Sequence, residues 1–369
     1  VDDVDRFYKT PDQHTGTHLA LRWNGRVRFT VPRDAAGQKA CWKLFHPGRL
    51  EFPLRAIARL PRLLGAVSCV EADNLALIRE AIGNEAGLSC CRAGAPGPWS
   101  KDTILFLDNK TTEPVYVVKA GAGEAVDRLL QNDAKWLRVL RDLPALAGHV
   151  PNLVAHHSGS SLSFVAVTPL LGKLDYTFGE LHVAFLRKFQ DFSRQTMRLE
   201  ESTLYLNLRS RLKDISGLLS ESWSTRLDIG MRRIEQSLSG PPILLVAAHN
   251  DFTLWNIRVE CGVARIFDWE YADYEQFPLF DPLHFALMPM ALRRQSTARM
   301  VQCISQTLQM SQQRFGKELC YEAQTQVLAY LVNLCTLYLW SVHGASESHP
   351  VLDSYAAIID HLCSCKSVL

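Results

Sequence analysis

The chain has 369 residues, 47% of them hydrophobic and 21% charged, with a formal net charge of +2. That length admits one large two-lobed unit or two domains, and the balance is that of a soluble globular protein, which excludes a disordered or fibrous chain. So small a net charge excludes a global bias toward nucleic acid or acidic partners. Ten cysteines, at 41, 69, 90, 91, 261, 303, 320, 335, 363 and 365, form no CxxC pair and no zinc-ligand spacing. Several fall in apolar helical runs, where a thiol acts as a small hydrophobe, and this usage fits a reducing cytoplasm. The first residue is Val1 rather than Met, so the lack of a signal peptide carries little weight.

In chain order, residues 1–70 form an extension with strand-like pieces such as Arg22–Val31. Its basic stretch Phe52–Leu64 (FPLRAIARLPRLL) sets Arg55, Arg59 and Arg62 opposite Leu54, Ile57 and Leu64 at helical spacing. Peripheral contact with a membrane is one use of such a stretch. A helix packed on the following domain, with a solvated arginine face, is preferred because Pro61 interrupts it. Asp102–Asp108 (DTILFLD) and Pro114–Ala120 (PVYVVKA) alternate as the two arms of a hairpin. Leu129, Leu130, Trp136, Leu137 and Leu140 then recur at helical spacing in Glu124–Leu140. After the strand-like Phe164–Gly172 the pattern is mainly helical, over Glu180–Glu200, Leu204–Leu219 and Ser224–Ser239. The apolar run Ile243–Ala248 reads as a buried strand, and further helices follow over Asp281–Leu292, Gln295–Met310 and Lys317–His343. Within the last, Gln326–His343 is the most hydrophobic window, read as a buried core helix in preference to a membrane span.

The most informative segment is His249–Asp268, HNDFTLWNIRVECGVARIFD. Asp251 and Asn256 stand five residues apart, and Asp268 follows the short apolar run Val263–Phe267, which hairpins back through the turn around Glu260 and Gly262. Phosphoryl transfer passes through a loose transition state, so the protein supplies positioning and charge neutralisation more than covalent chemistry. It needs a carboxylate to orient and deprotonate the acceptor hydroxyl, here Asp251, kept clear of the metal. It also needs oxygen ligands for hard magnesium, for which Asn256 and Asp268 are the candidates. His249 suits a structural hydrogen bond near the metal-binding Asp better than proton transfer. The plainer alternative is a turn-capping Asp251, a loop Asn256 and an Asp268 that ends a strand.

HNDFTLWN at 249–256 and DWE at 268–270 resemble the H-x-D-x-x-x-x-N and D-[WF]-E motifs of the aminoglycoside phosphotransferase and choline kinase superfamily. Asn250 and the continuation IFDWEYADYEQFPLFD (266–281) are closer to its choline and ethanolamine kinase branch. The resemblance covers about residues 90–345 and is sharp over 249–281. It implies an α+β, bilobal, protein-kinase-like fold, with a mostly antiparallel sheet in the N-lobe (71–168) and a mainly helical C-lobe (169–369). It further implies ATP, with GTP as an alternative, and Mg2+ as cofactors, with Asp251 the catalytic base and Asn256 and Asp268 the metal ligands. Asp281 would brace the catalytic loop. Lys119 would contact the nucleotide's α- and β-phosphates, held by an acid of the next helix. Asp133 is the best-placed acid, one methylene shorter than the family's Glu, and Glu124 is the other candidate. Gly94 and Gly97 in GAPGPWSK occupy the place of the glycine-rich loop, although an ordinary hairpin turn fits equally. Adenine would meet the backbone near Val167 or Thr168.

The acceptor is the least legible part. Asp268, Glu270, Asp273, Glu275 and Asp281, interleaved with Trp269, Tyr271, Tyr274, Phe277 and Phe280, lie in a stretch with no Lys or Arg between Arg265 and Arg293. Acids with aromatic faces suit a cationic acceptor, with Glu270, Asp273 and Tyr274 as the candidates. An amino alcohol or amino sugar fits. A neutral sugar or the end of a lipid-linked glycan is the alternative, and a nucleotide-binding pseudokinase is a third. The intact Asp251, Asn256 and Asp268 argue against the last.

Overall fold

The structure, a computed structural model, describes residues 6–9, 16–23, 26–45, 67–83, 87–94, 97 and 99–364. The basic stretch 52–64 lies outside them. The chain divides into two compact units, Val1–Gly172 and Lys173–Leu369.

The first unit is built on one antiparallel sheet. Its strands are β1 (Tyr8–Lys9), β2 (His18–Trp23), β3 (Arg26–Pro32), β4 (Val67–Glu71), β5 (Leu88–Arg92), β6 (Asp102–Leu107), β7 (Pro114–Gly121), β8 (Leu153–His157) and β9 (Ser163–Val167). They are ordered β1-β4-β2-β3-β5-β6-β7-β9-β8. The strand expected over Arg22–Val31 is a hairpin instead, with Trp23 opposite Arg26. Strands from residues before 71 are thus hydrogen-bonded into the same sheet as the strands after it. The helices are α1 (Ala35–Phe45), α2 (Asp73–Ile82), α3 (Glu124–Arg141) and the short α4 (Pro144–Ala147). Alternation along β7 turns Val118 and Ala120 to one face, where they pack with Leu75 and Ile78 of α2. Lys119 points to the other. Helix α3 buries the stripe Val126, Leu130, Ala134, Trp136, Leu137 and Leu140, and one acid, Asp133, within that stripe.

Cys41 of α1 is bonded to Cys90 of β5 across 49 residues of sequence. Sequence spacing had given no reason to pair any two cysteines. What brings these together is the packing of α1 on the face of the sheet that carries Leu105, Leu107 and Val31.

The second unit is mainly helical, with α5 (Glu180–Asp191), α6 (Thr203–Ile215), α7 (Glu221–Leu238), α8 (Phe280–Leu292), α9 (Thr297–Phe315), α10 (Ala323–Ser341) and α11 (Pro350–Ser364). Two small sheets accompany them: β10 (Gln195–Met197), β11 (Ile243–Ala248) and β14 (Asp273–Gln276) in the order β10-β11-β14, and the hairpin β12 (Ile257–Glu260) with β13 (Val263–Ile266). The helix expected over 180–200 ends at Asp191. Ser193 Oγ there donates to the carbonyls of Phe189 and Gln190, and the chain turns into β10, which pairs with β11. Helix α10 is buried on nearly every side, as its predominantly apolar sequence demands. A Cβ on Gly230 of α7 would meet Val332 Cγ2 of α10 at 2.7 Å, so the absent side chain permits that crossing. Among the described residues no helix is long and apolar enough to cross a membrane.

Candidate active site

Strand β11 ends at Ala248 and hands the chain to His249, Asn250 and Asp251. Asn250 adopts a left-handed backbone, φ 63°, which Asn tolerates better than other non-glycine residues. Its Nδ2 donates to the Tyr271 carbonyl at 2.9 Å. The turn is gripped from α8: both oxygens of the buried Asp281 carboxylate accept backbone N–H groups, from His249 at 2.8 Å and Asn250 at 3.0 Å. Burial raises the Asp281 carboxyl above the usual aspartate range, while His249 and these two bonds pull it back.

His249 accepts the Asp251 N–H on Nδ1 at 3.2 Å, so Nε2 carries the proton and donates to the Phe267 carbonyl at 3.1 Å. One ring thereby ties the turn after β11 to the end of the β12–β13 hairpin. The ring leans on Trp269, centroids 4.6 Å apart, above a fully aromatic floor in which Phe252 stacks on Phe185. The hairpin itself closes through Cys261 (φ 49°) and Gly262 (φ 74°), positive at both central positions as a type I′ turn requires.

Asn256 directs its amide nitrogen at Asp251, to the carbonyl at 3.0 Å and to Oδ2 at 2.8 Å. Oδ1 of Asp251 is met at 3.2 Å by Nε2 of His284. Asp268 also has a left-handed backbone, φ 74°, and opens a single 3-10 turn, Trp269–Tyr271. The Tyr271 phenol is pushed above its ordinary range first by burial and then by the charges of Glu270, Asp268 and Asp251. Tyr338 is raised to about 12 by burial and by Asp251.

The other expected residues fall as follows. In the first unit Lys119 forms an ion pair with Asp133, whose side chain is 2% exposed. Glu124 instead pairs with Arg128 on the helix surface. Gly94 donates its N–H to Asp102 Oδ1 at 3.0 Å, and a Cβ there would lie 2.3 Å from the Lys101 carbonyl oxygen. Gly97 has φ 155°. Val167 ends β9, and the Thr168 N–H is committed to the Asn152 carbonyl at 3.0 Å. In the second unit Glu270 is buried in its 3-10 turn. Asp273 accepts the Tyr274 N–H at 2.7 Å, and its charge acts on Arg211 of α6, which itself donates to Asn333 Oδ1 at 3.2 Å. Tyr274 lies edge-on to Phe192.

Sequence reasoning missed His284, Tyr338 and Arg211, and it counted Tyr271 only among the aromatic residues interleaved with the acids. A usable signal existed for the first. Asp281 and His284 are three residues apart in a helix that is otherwise apolar, so they share one face.

The sequence profile of the phosphotransferase enzyme family matches residues 93–301. Among solved structures, the apo form of a thermostable mutant of aminoglycoside phosphotransferase APH(4)-Ia is 12% identical, with a TM-score of 0.51 over 78% of this chain and 97% of that one. Another mutant of the same protein, in ternary complex with AMP-PNP and hygromycin B, is 13% identical, with a TM-score of 0.50 over 74% and 93%. Choline kinase LicA from Streptococcus pneumoniae is 12% identical, with a TM-score of 0.49 over 79% and 99%. No curated protein sequence matches. At such identities the likeness is one of fold.

Proposed function

This chain belongs to the phosphotransferase enzyme family, and we propose that it transfers the γ-phosphoryl group of ATP to a hydroxyl of a small amino alcohol or amino sugar. Asp251 is the base in this reading. Its carboxylate takes the hydroxyl proton as the acceptor oxygen bonds to the γ-phosphorus, and the bond from that phosphorus to the β,γ-bridging oxygen breaks to release ADP. The observation that carries the proposal is the two-point grip on Asp251, by Asn256 on one oxygen and His284 on the other. A base held in this way is oriented before the acceptor arrives.

Asn256 and Asp268 are the proposed magnesium ligands. With its amide nitrogen turned to Asp251, Asn256 has an oxygen to offer, and Asp268 adds a carboxylate. Among the described residues no group of three or more His, Cys, Asp or Glu side chains forms a metal cage. Magnesium in such sites needs none, being held by one or two protein oxygens with phosphates and water. When bound it neutralises charge on the β- and γ-phosphates. Lys119, steadied by Asp133, is proposed to contact the α- and β-phosphates, with the backbone at Gly94 and Gly97 nearby. Adenine would read the chain around Val167 and Thr168, where the Thr168 N–H is already spent.

The negative charges of Glu270, Asp268 and Asp251, each of which acts on the Tyr271 phenol, favour a cationic acceptor. The charge of Arg211, which acts on Asp273, favours the second reading, a neutral sugar hydroxyl, because it offsets one of the acids assigned to the cation. A panel of amino alcohols, amino sugars and neutral sugars, incubated with Mg-ATP and followed by phosphorus NMR, separates the two. Asp251→Asn should keep Mg-ATP binding and lose turnover by about three orders of magnitude or more. Asp268→Ala should lose Mg-ATP binding. Normal turnover by Asp251→Asn would overturn the assignment.

A further inference from the structure

We propose that His284 is a positioning residue for Asp251, holding its carboxylate in one rotation toward the acceptor hydroxyl, and that Tyr330 and Tyr355 fix the tautomer in which it does so. His284 has this role only insofar as Asp251 is the base proposed above.

The contacts form one chain through the core of the second unit. Nε2 of His284 lies 3.2 Å from Asp251 Oδ1, Nδ1 of His284 lies 3.2 Å from the Tyr330 hydroxyl, and that hydroxyl lies 2.9 Å from the Tyr355 hydroxyl. An ionised carboxylate can only accept, so Nε2 of His284 must carry a proton. In the neutral imidazole Nδ1 then has a lone pair, which accepts the Tyr330 O–H, and the Tyr330 oxygen accepts the Tyr355 O–H. Every donor meets an acceptor and the direction is set from one end. Burial drives both phenols well above their ordinary range, so they stay protonated as this direction requires.

Both burial and placement point to function. His284 and Tyr330 are 3% exposed and Tyr355 is fully buried, among Leu283, Leu287, Leu331 and Ile358. Apolar side chains of similar size would fill this space without polar atoms to satisfy. The polar chain ends on the one carboxylate that must meet the acceptor. The last torsion of an aspartate is soft and two-fold, so a single donor leaves the carboxylate plane free to swing. Asn256 on Oδ2 and His284 on Oδ1 remove that freedom, and they come from the catalytic loop and from α8 respectively. Tyr330 of α10 and Tyr355 of α11 tie the orientation of the base to two further core helices.

The test uses the full chain, with magnesium-dependent ATP hydrolysis as the readout, water standing in for the acceptor, and AMP-PNP binding measured separately. His284→Ala should lower kcat by about 10- to 100-fold with KM for ATP and AMP-PNP affinity within about twofold of wild type. His284→Gln, which retains an N–H on a flexible arm, should recover most of the loss. Combined with Asp251→Asn, His284→Ala should add less than about twofold, because it acts through the group already removed. Tyr330→Phe keeps the ring and removes only the hydroxyl. It should lower kcat by about 3- to 10-fold at unchanged AMP-PNP affinity, and it serves where His284→Ala fails to fold. Wild-type kcat in His284→Ala or in Tyr330→Phe, or a fully additive loss on the Asp251→Asn background, would overturn the proposal. Wild-type turnover by Asp251→Asn itself would take down the base assignment, and this proposal with it.

Discussion

Asp281 illustrates how one side chain can be costly to bury and still be required. It is buried in the first turn of α8 with both oxygens accepting backbone N–H groups from the turn that carries Asp251. Burial has the largest effect on its carboxyl and raises it, and the bonds from His249 and Asn250 do not cancel that rise. With the folded value above the unfolded one, the folded chain binds more protons than the unfolded chain at every pH between them. Stability from this group is therefore fully present below the ordinary aspartate value and is lost as pH rises through the folded one. The expected outcome is that the stability of wild type relative to Asp281→Asn falls as pH increases from about 4. Urea midpoints of the two proteins across a pH series measure this, and a flat or rising difference would show that the carboxylate ionises at no cost. Residue identities such as Asp281 were legible in the sequence because a motif fixes their order. His284 could have been singled out from its place on the Asp281 face, but its contact with Asp251 could not, because the two are 33 residues apart and only the packing of α8 joins them.

At the scale of elements, the turn after β11 is held by conformation as much as by contacts. Asn250 occupies a left-handed backbone and also anchors the Tyr271 carbonyl at 2.9 Å. Alanine would lose both the tolerance and the bond, whereas glycine would lose only the bond. Asn250→Ala should thus destabilise by about 1–2 kcal/mol more than Asn250→Gly, measured by chemical denaturation, with the turnover loss in the same order. Equal effects would mean that the side-chain bond, rather than the backbone, sets the turn. Hairpins and amphipathic helices were read correctly where local pattern suffices, as in β6–β7 and α3. The pattern failed where pairing decides: α5 gives way to β10 because β11 is beside it, and Arg22–Val31 doubles back as β2 pairs with β3. The Lys119–Asp133 pair lay between these cases. The family resemblance named Asp133 as the best-placed acid although one methylene short, and the structure shows that the shorter acid still reaches the lysine.

At the scale of the whole molecule, each unit encloses its own core, and the one disulfide among the described residues lies wholly within the first. Closing a loop of 49 residues restricts the unfolded chain, and the entropic contribution is about 4 kcal/mol at most. That contribution belongs to the sheet, since Cys90 pairs with Leu105 of β6. The second unit draws its stability from α7, α8, α10 and α11 packed on one another and contains no such link among its described residues. A reducing agent should therefore speed amide hydrogen exchange at Ile104 and Leu105 while leaving Tyr330 and Leu331 of α10 unchanged. Cys41→Ser should reproduce the effect and abolish any further response to reductant. Unaltered exchange in β6 would mean that the bond contributes nothing to the sheet, and equal acceleration in α10 would mean that the two cores open as one. The distinction bears on function, because the proposed base and its polar chain through Tyr330 and Tyr355 lie entirely in the unit that reduction should not touch.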